Sequence, residues 1–481
     1  MLELTAAELA RLVGGRVLAG PSEGRVRGVS TDSRSVAAGQ LFIPLKGERL
    51  DGHRFIEEAV EEGAGGALTE EGSHERAEAV RRLVARHDLW RGAFLVGVPG
   101  SSWEAFHRLA EAHRARHRVP VVAVTGSNGK TTTKELVARI LGSRWRTLRS
   151  PGNFNNDVGL PLTLLELGPE FEALVVEMGM RGAGEIARLC RMARPSVGIV
   201  TNVGPVHLEL LGSMEAITAA KAELVEALPQ EGVAVLNAED SRVLGMRRRT
   251  AARVVTFGLE QGDASARDVR PHGQGMDFRL VWRGAGVEAS TSVRLPLLGR
   301  HNVVNAVAAA AAGLALGFEL DEVAGALAEA QAPKLRLETT EAQGRRVIND
   351  AYNASPASMA AALEVLQQVA QGRKGAVLGD MLELGAVARD EHVRLGERAA
   401  AAGLDFLVVT GERAGDVAAG ARGAGMDPAR IHTAAGWEEA AELALALSRP
   451  GDTVLVKASR GLGLERVVAR LAEEETRRHE P

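Results

Sequence analysis

The sequence predicts an α/β protein with three domains: a small N-terminal α/β domain, a central domain with a parallel sheet, and a C-terminal α/β domain. Three observations support this prediction. The chain has 481 residues, more than the roughly 250–300 residues at which a single hydrophobic core stops growing. Hydrophobic residues make up 45% of it, enough for ordinary globular cores. Short apolar segments alternate with helical patterns, as in parallel sheets that are covered by helices.

The first domain is expected to cover residues 1–118. In it the strand-like segments GRVRGVSTDSR, QLFIPLKG and AFLVGV alternate with helical segments. The N-terminal segment MLELTAAELARLVGG predicts an amphipathic helix that a glycine ends, and not a signal peptide. The last helix of the block starts in SSWEAFHRLAEAHR, where Ser101 and Glu104 have the spacing of a capping box.

The second domain is expected to cover residues 119–331 and to repeat a unit of buried strand, loop and helix. Its strands are VVAVTG, EALVVEMGM, SVGIVTNVG and GVAVLNAED. Continuous apolar strands of this kind predict a parallel sheet, with ligands at the carboxyl ends of its strands.

The third domain is expected to cover residues 332–481, after a long alanine-rich helix. Its apolar segments RRVIND, GAVLGDM, FLVVTG and DTVLVKASRG again alternate with helices. This alternation predicts a second, Rossmann-like α/β unit.

Composition excludes several classes of function. The net charge of −4 does not support a general nucleic-acid surface, and the short basic runs at 113–118 and 247–249 are typical of solvated helix faces. The single cysteine, Cys190, rules out an internal disulfide and is expected to be a packed thiol. The longest apolar run, from Val303, is shorter than the roughly 20 residues of a membrane span. We therefore expect a cytoplasmic protein with no nucleic-acid partner and no membrane span.

The segment TGSNGKTT, residues 125–132, carries the clearest functional signal. It follows an apolar strand and opens a helix, so Gly126 and Gly129 allow backbone N–H groups to turn toward an anion at the helix N-terminus. Lys130 can reach the β- and γ-phosphates of a nucleotide, and the Thr131 hydroxyl can hold Mg²⁺. The loop lacks the first glycine of the pattern G-x-x-x-x-G-K-[ST], because Val124 stands there. The alternative, a glycine-containing turn with no ligand, fits this context less well. The central domain is thus predicted to be P-loop ATPase-like.

Three further polar residues lie where a Mg–ATP site recruits ligands. Glu177 ends a buried strand and offers the oxygen that Mg²⁺ prefers. His207 follows the next strand and, taken alone, is typical of a structural or hydrogen-bonding histidine. Lys221 lies in the middle of a helix, where a solvent-facing charge is the usual outcome. The alternative for Lys221 is a carbamylated side chain, an anion that can hold a second Mg²⁺.

Together these motifs resemble the Mur ligases, the ATP-dependent amide-bond-forming enzymes of peptidoglycan precursor synthesis, whose nucleotide loop has the same shortened form. The resemblance spans essentially the whole chain, through TDSRSVAAGQLFIPLKGERLDGHRF, GNFNNDVGLPLTLL, LGRHNVVNAVAAAAA, NDAYNASPASM, LGDMLELG and VLVKASRG. The loop and HN-x-x-N also occur in folylpolyglutamate synthases, so they discriminate less well than the other motifs.

The resemblance implies a ligase that uses ATP to join D-alanyl-D-alanine to UDP-N-acetylmuramoyl-tripeptide through an acyl phosphate. The third peptide residue is meso-diaminopimelate or lysine. The expected partners are these small molecules alone, and we expect a monomer. Four small departures from the family's pattern bear on fine contacts to the dipeptide: Ala222, Asn349, Ser355 and Ala458.

The resemblance also implies roles for individual residues. The implied catalytic residues are Lys130, Glu177, His207 and Lys221, and the implied Mg²⁺ ligands are Thr131, Glu177, His207 and carbamylated Lys221. The implied ATP-binding residues are Thr125, Gly126, Ser127, Asn128, Gly129, Lys130, Thr131 and Thr132, with Asn302 and Asn305 near the adenine and Arg336 and Asp350 meeting the nucleotide on domain closure. The implied substrate-binding residues are Thr31, Asp32, Ser33, Lys46 and His53 near the UDP, and Asn153, Asn156 and Thr163 near the muramoyl-peptide.

Three alternatives stay open. One is a sister ligase that adds the third amino acid to the UDP-muramoyl-dipeptide, or a ligase similar to folylpolyglutamate synthase. A second is a P-loop protein that is not a ligase, such as a small-molecule kinase or a nucleotide-gated binding module. A third is a purely structural protein, which the loop makes the least compatible of the three.

Overall fold

The computed structural model describes residues 1–72, 74–284 and 287–477. The chain forms two compact units. The first unit contains residues 1–123, 144–179 and 185–196, and the second contains residues 124–143, 180–184 and the described chain from 197 onward. The predicted domain boundaries at 118/119 and 331/332 stay predictions.

The elements follow one another along the chain as alternating strands and helices. The strands are β1 (Glu3–Thr5), β2 (Arg16–Ala19), β3 (Arg25–Arg27), β4 (Val29–Ser30), β5 (Leu41–Phe42), β6 (Gly66–Glu70), β7 (Phe94–Val98), β8 (Val121–Thr125), β9 (Thr147–Arg149), β10 (Ala173–Glu177), β11 (Val197–Val200), β12 (Val233–Asn237), β13 (Arg253–Phe257), β14 (Ala264–His272), β15 (Gly275–Gly284), β16 (Val287–Leu295), β17 (Glu338–Ala342), β18 (Arg345–Asn349), β19 (Lys374–Leu378), β20 (Phe406–Thr410), β21 (Ile431–Ala434) and β22 (Thr453–Lys457). The α-helices are α1 (Ala6–Val13), α2 (Ile56–Glu61), α3 (His74–Ala85), α4 (Ser102–Arg114), α5 (Lys130–Gly142), α6 (Gly159–Leu165), α7 (Glu185–Ala193), α8 (Leu208–Leu211), α9 (Met214–Glu226), α10 (Ser241–Gly245), α11 (Arg300–Ala315), α12 (Leu320–Ala328), α13 (Pro356–Val369), α14 (Ala388–Ala401), α15 (Ala414–Gly423), α16 (Trp437–Leu447) and α17 (Glu465–Arg477).

The first unit contains a five-stranded sheet in the order β2-β7-β6-β5-β4. Strands β4 to β7 are parallel, and β2 pairs with β7 in the antiparallel direction. Apolar side chains such as Phe42, Ile56 and Leu95 form the core against it. Because the carboxyl ends of parallel strands meet at one edge, this sheet brings the segments after β4, β5 and β6 to the same edge.

Local sequence accounts for the helix ends in this unit. Thr5 caps α1 in a capping box with Glu8, and Gly14 ends the helix with φ +70°, so the predicted glycine stop is confirmed. The Ser101 side chain accepts a hydrogen bond from the Glu104 N–H at 3.2 Å and caps α4. Cys190 on α7 is 3% exposed, and its Sγ lies 3.6 Å from the Met178 Sδ, which confirms a packed thiol.

The expectation of a solvated face at residues 113–118 is wrong for two of them. His113 and Arg114 are only 5% and 7% exposed. The Arg114 guanidinium donates to the carbonyls of Ala193 at 2.9 Å and Val119 at 3.2 Å, so backbone oxygens replace water around the charge. The second basic run, at 247–249, is exposed as expected.

Burial of His113 predicts a loss of stability in mild acid. Burial lowers the pKa of His113 to about 4, so the folded protein keeps the ring neutral while the unfolded chain protonates near pH 6.5. The stability that the protein has with a neutral His113 is fully present above pH 6.5. As the pH falls toward 4, the free energy of unfolding decreases by up to about 3 kcal/mol. Urea unfolding between pH 8 and 4.5 checks this.

The variant His113→Gln keeps a donor for the Leu167 carbonyl, which the ring nitrogen Nε2 contacts at 2.7 Å. This variant should lose stability less steeply with acid than the parent chain, and the exposed residue His87 offers the matched control His87→Gln. Equal acid slopes in the parent and His113→Gln would contradict the prediction.

The second unit contains two sheets. Strands β11, β12, β13 and β14 pair in the parallel direction. Strand β15 then pairs with β14, and β16 with β15, in the antiparallel direction. The parallel part confirms the prediction, whereas the antiparallel extension was not predicted. A six-stranded sheet follows in the order β17-β18-β22-β19-β20-β21, parallel except for β17, which confirms the predicted second α/β unit.

The alanine-rich segment forms helix α11. All its residues from Ala306 to Gly313 are buried, and it packs against α5. Small side chains let the two helices approach closely, so the segment is an interior helix. Among the described residues, no helix combines the length and apolarity needed to cross a membrane.

Candidate functional site

The loop between β8 and α5 forms the centre of the candidate site in the second unit. Gly126 has φ +147° and Gly129 has φ +82°, and α5 starts directly after them at Lys130. A Cβ atom on Gly126 would lie 1.8 Å from the Thr201 Oγ1, and one on Gly129 would lie 2.3 Å from the Asn305 Oδ1. Glycine is therefore required at both positions for conformation and for space.

Residues after β11 hold this loop in place. The Ser127 N–H donates to the Asn202 carbonyl at 2.9 Å, and the Asn128 N–H donates to the Asn202 Oδ1 at the same distance. The Thr201 hydroxyl donates to the Asn128 carbonyl at 2.6 Å. The loop is thus preorganised by a network of hydrogen bonds to the loop after the neighbouring strand.

Substitution of Gly126 by alanine should damage both stability and nucleotide binding. We expect the free energy of unfolding to fall by more than about 1 kcal/mol and the Kd for ATP to rise, because the methyl group collides with Thr201 and the backbone must leave its φ. Thermal unfolding and calorimetric titration with a non-hydrolysable ATP analogue measure the two effects.

The same helix offers a control. Gly142 ends α5, and a Cβ atom there would have no neighbour within 4 Å. Gly142→Ala should leave ATP binding unchanged and leave stability equal or slightly higher. A Gly126→Ala variant with the parent's Tm and ATP affinity would contradict the role assigned to the loop.

Lys130 lies at the first turn of α5, as predicted. Its Nζ donates to the carbonyls of Gly126 at 2.9 Å and Ser127 at 3.3 Å. The ammonium group therefore folds back over the loop, where it can neutralise a phosphate bound by the loop's N–H groups.

The two asparagines of HN-x-x-N have different surroundings. Asn302 lines a cavity of about 420 Å³, together with Arg336, Leu298 and residues of β16 and β17. Asn305 does not line this cavity; its Oδ1 accepts from the Thr133 hydroxyl at 3.4 Å behind the loop, and its Nδ2 donates to the Asn302 Oδ1 at 3.1 Å. Asn302 thus lines a cavity and Asn305 contacts α5 behind the loop, and the contact of either residue with adenine stays a prediction.

Arg336 connects the segment before β17 to the loop. Its Nη2 donates to the Thr131 Oγ1 at 3.0 Å, and its guanidinium stacks over the Tyr352 ring at 4.1 Å. The residues on both sides, Leu335 and Leu337, have φ +61° and +52°, which is unusual outside glycine. The strained backbone at Leu335 and Leu337 thus surrounds the residue whose side chain contacts Thr131 at the start of α5.

Asp350 supports this arrangement. Its Oδ1 accepts from the Leu337 N–H at 3.2 Å, and its Oδ2 pairs with the buried Lys457 Nζ at 2.7 Å. Asp350 thus holds the strained turn beside Arg336. A second hydrogen bond joins the C-terminal part of the chain to the nucleotide loop: the Ser355 hydroxyl donates to the Asn128 Oδ1 at 2.8 Å.

His207 lies next to the loop residues and has a partner that the sequence did not reveal. Its Nδ1 contacts the Glu383 Oε2. Burial lowers the pKa of His207, the nearby carboxylate of Glu383 opposes this shift, and the positive charges of Lys130 and Lys221 add to it.

The solvent-facing position expected for Lys221 is wrong. The side chain is 3% exposed on the buried face of α9. Burial lowers the pKa of Lys221 well below its ordinary value, and the charge of Lys130 adds to the shift. Burial therefore disfavours the ammonium form of this side chain, and its carbamylation stays a prediction.

Glu177 and the predicted muramoyl-peptide residues lie in the first unit. Glu177 is 1% exposed and its Oε1 accepts from the Asn155 Nδ2 at 2.7 Å. The Asn156 Oδ1 accepts from the Gly159 N–H at 2.9 Å just before α6, and the Thr163 hydroxyl donates to the Gly159 carbonyl at 2.9 Å. Asn153 is exposed. Asn156 and Thr163 thus have structural partners, and their contact with substrate stays a prediction, as does that of Asn153.

The residues predicted to contact UDP gather at the carboxyl edge of the five-stranded sheet. Thr31, Asp32 and Ser33 follow β4 directly, and the Asp32 carboxylate accepts from the Arg34 guanidinium at 2.7 and 2.9 Å. Their role in binding stays a prediction.

His53 and Lys46 lie at the same edge within a polar network. The His53 Nδ1 lies 2.7 Å from the Asp51 Oδ1 and its Nε2 lies 3.1 Å from the Ser102 Oγ. Although burial acts in the opposite direction, hydrogen bonds from His53 and Arg76 lower the pKa of Asp51 to about 2. The Lys46 carbonyl accepts from the Trp103 Nε1 at 3.0 Å.

Sequence reasoning missed several residues of the site. Thr201 and Asn202 brace the loop, Asn155 holds Glu177, and Glu383 pairs with His207. Thr201 and Asn202 directly follow an apolar strand, a signal that could have identified them. Asn155 stands between the two predicted asparagines of GNFNN, but nothing local in LGDMLELG marks Glu383 as a partner of His207.

The metal ligands are not tested by the geometry. Within the ranges that the structure describes, no group of three or more histidine, cysteine, aspartate and glutamate side chains is placed to hold a metal ion. The predicted set contains only two such residues, Glu177 and His207, beside Thr131 and Lys221. It therefore stays a prediction.

Three family profiles match the chain. The Mur ligase middle domain matches residues 124–313, the glutamate ligase domain of Mur ligases matches residues 335–460, and the profile described as "Mur ligase family, catalytic domain" matches residues 25–91. Together they cover most of the chain.

Individual proteins are similar over the full length. The UDP-N-acetylmuramoyl-tripeptide–D-alanyl-D-alanine ligase of Bacillus subtilis is 35% identical over 98% of this chain and 99% of its own, and that of Escherichia coli is 34% identical over 99% and 100%. A crystal structure of MurF from Acinetobacter baumannii superposes with a TM-score of 0.87 at 32% identity and covers 98% of this chain and 99% of its own. MurF from Thermotoga maritima in complex with ADP gives a TM-score of 0.79 at 29% identity over 94% and 99%.

Proposed function

This chain belongs to the Mur ligase family, and on that premise we propose that it joins D-alanyl-D-alanine to UDP-N-acetylmuramoyl-tripeptide at the expense of ATP. The fold is the three-domain α/β architecture of this family. The observation that carries the proposal is the loop 126–129 at the start of α5, where Arg336 from the C-terminal part of the chain donates to the Thr131 Oγ1. The donor and acceptor are those named for relatives that span the whole chain.

The reaction has two steps. An oxygen of the tripeptide's terminal carboxylate attacks the γ-phosphorus of ATP, the bond to the β-phosphate oxygen breaks, and an acyl phosphate and ADP form. The amine of D-alanyl-D-alanine then attacks the acyl carbon, and the tetrahedral intermediate expels inorganic phosphate and loses a proton to give the amide.

The chain contributes positioning and charge. The carboxylate and triphosphate are both anions, so the loop N–H groups, the α5 N-terminus and Lys130 lower the repulsion between them. Arg336 lies close enough to the loop to add a further positive charge. The acyl phosphate must be kept from water. Arg336 and Ser355 contact Thr131 and Asn128 at the loop and are the residues we expect to help shield it.

We also propose that Mg²⁺ accompanies ATP and that Thr131 is one of its ligands. The Thr131 hydroxyl stands at the first turn of α5 and supplies the oxygen that Mg²⁺ prefers. Glu177, in the first unit, offers a buried carboxylate of the same ligand type. When bound, the ion supplies neutralisation of phosphate charge.

Lys221 fits the carbamate of the sequence hypothesis. A neutral, buried amine can add to CO₂ through a new N–C bond and release one proton, which gives a carbamate anion. We propose that this carbamate and His207 hold a second Mg²⁺. We further propose that the chain works as a cytoplasmic monomer.

An isotope experiment tests the proposed chemistry. The terminal carboxylate of the tripeptide is labelled with ¹⁸O and turned over with ATP and D-alanyl-D-alanine. Transfer through an acyl phosphate puts one ¹⁸O atom into each inorganic phosphate. Label in AMP would indicate an acyl adenylate, and unlabelled phosphate would indicate hydrolysis of ATP by water; either result would overturn the proposed reaction.

A further inference from the structure

Glu383 and His207 form a contact across 176 residues of chain. The Nδ1 of His207 meets one carboxylate oxygen, Oε2, and the other oxygen, Oε1, lies 3.4 Å from the Arg181 Nη2. The Glu209 N–H points at the Glu383 carbonyl at 3.5 Å. Glu383 therefore touches the segment around α8 with its side chain and its backbone.

Both residues have an unusual backbone. His207 has φ +59° and Glu383 has φ +62°. Residues other than glycine, asparagine and aspartate adopt such positive φ values infrequently. Gly385 has φ +58°, and a Cβ atom there would lie 3.2 Å from the Glu209 Cα. Strain on both sides of one contact indicates that the surrounding structure fixes the geometry of the pair.

The contact with Glu383 determines which ring nitrogen of His207 carries the proton. A carboxylate only accepts hydrogen bonds, so the Nδ1 of His207 carries the proton and Nε2 keeps its lone pair. Histidines that bind metals commonly donate their other nitrogen to a carboxylate in this way. The segment that leads to His207 lies against the nucleotide loop, because the Gly204 N–H donates to the Ser127 Oγ at 2.8 Å and the Ser127 hydroxyl donates to the Gly204 carbonyl at 3.1 Å.

We propose that Glu383 is a positioning residue that holds His207 with Nε2 directed to a second divalent cation in the nucleotide site. This rests on the proposed function, and specifically on the second Mg²⁺. Glu383 follows β19 in the C-terminal sheet, so His207 is fully oriented only when that part of the chain contacts α8.

Manganese binding tests this directly. Mn²⁺ replaces Mg²⁺ and is titrated, with electron paramagnetic resonance as the readout, into the full chain with a non-hydrolysable ATP analogue. We expect two Mn²⁺ ions in the parent chain, the weaker one showing magnetic coupling to a histidine nitrogen. Glu383→Gln should weaken this second site about 10-fold and leave the first unchanged.

Two further variants separate positioning from folding. Glu383→Asn suits the left-handed backbone, so its Tm should not fall below that of the parent, while its shorter side chain loses His207 and weakens the second site. Glu209→Gln removes a nearby exposed carboxylate whose side chain does not hold His207, and it should bind both ions like the parent.

The outcomes are distinct. Parent-like second-site affinity and nitrogen coupling in both Glu383 variants would overturn the proposal. A parent chain that binds only one Mn²⁺, without nitrogen coupling, would overturn the second metal site and this proposal with it, while ¹⁸O transfer into phosphate would still support the ligase reaction.

Discussion

Replacement of Lys130 by alanine is expected to lower kcat for phosphate release by about 10³-fold or more. The Lys130 ammonium lies on the loop carbonyls at 2.9 and 3.3 Å, where a bound triphosphate is approached by a second anion. Without it, the transition state for attack on the γ-phosphorus loses a stabilising positive charge. Steady-state phosphate release with both substrates measures the effect.

The exposed residue Lys334 supplies the matched control, since Lys334→Ala removes the same charge outside the loop. It should keep kcat within a few-fold of the parent. A Lys130→Ala variant that folds and turns over at nearly the parent rate would contradict the assignment of the loop.

Replacement of Lys221 by alanine is expected to abolish activity, and short carboxylic acids such as acetate should restore part of it. The parent side chain is 3% exposed and carries a strongly lowered pKa because of burial. A carbamate at this position presents a carboxylate, and a small acid can occupy the space that the alanine leaves. Activity at increasing acetate concentration measures the rescue.

Lys221→Arg is the matched control, because arginine keeps a positive charge, does not form the carbamate and fills the space. It should be inactive and should not respond to acetate. Crystals of the parent grown with bicarbonate should show the carbamate; a bare amine there, or full activity of Lys221→Ala without acid, would contradict the proposal.

The parts of the site that depend on neighbouring residues could be predicted from the sequence. An apolar strand, two glycines and a helix start fix the loop locally, and the structure places Lys130 and Thr131 accordingly. The alternation of strands and helices likewise predicted both parallel sheets.

Features that depend on distant contacts could not be predicted in this way. Lys221 lies mid-helix among alanines, and only the packing around α9 decides that it is buried. Asn305 acts on a loop more than 170 residues earlier, and Glu383 meets a histidine 176 residues away. His113 and Arg114 belong to a charged run, yet nearby backbone carbonyls hold them inside. In each case the deciding partner is remote in sequence or is backbone that carries no side-chain signal.

The central claim is tested most directly by phosphate release from Mg–ATP and UDP-N-acetylmuramoyl-tripeptide, with D-alanyl-D-alanine present or omitted, and by the mass of the product. Release that requires the dipeptide, with a nucleotide product heavier by one dipeptide residue, is the predicted result. No release with this pair, but turnover with the UDP-muramoyl-dipeptide and a single amino acid, or with a folate and glutamate, would contradict it.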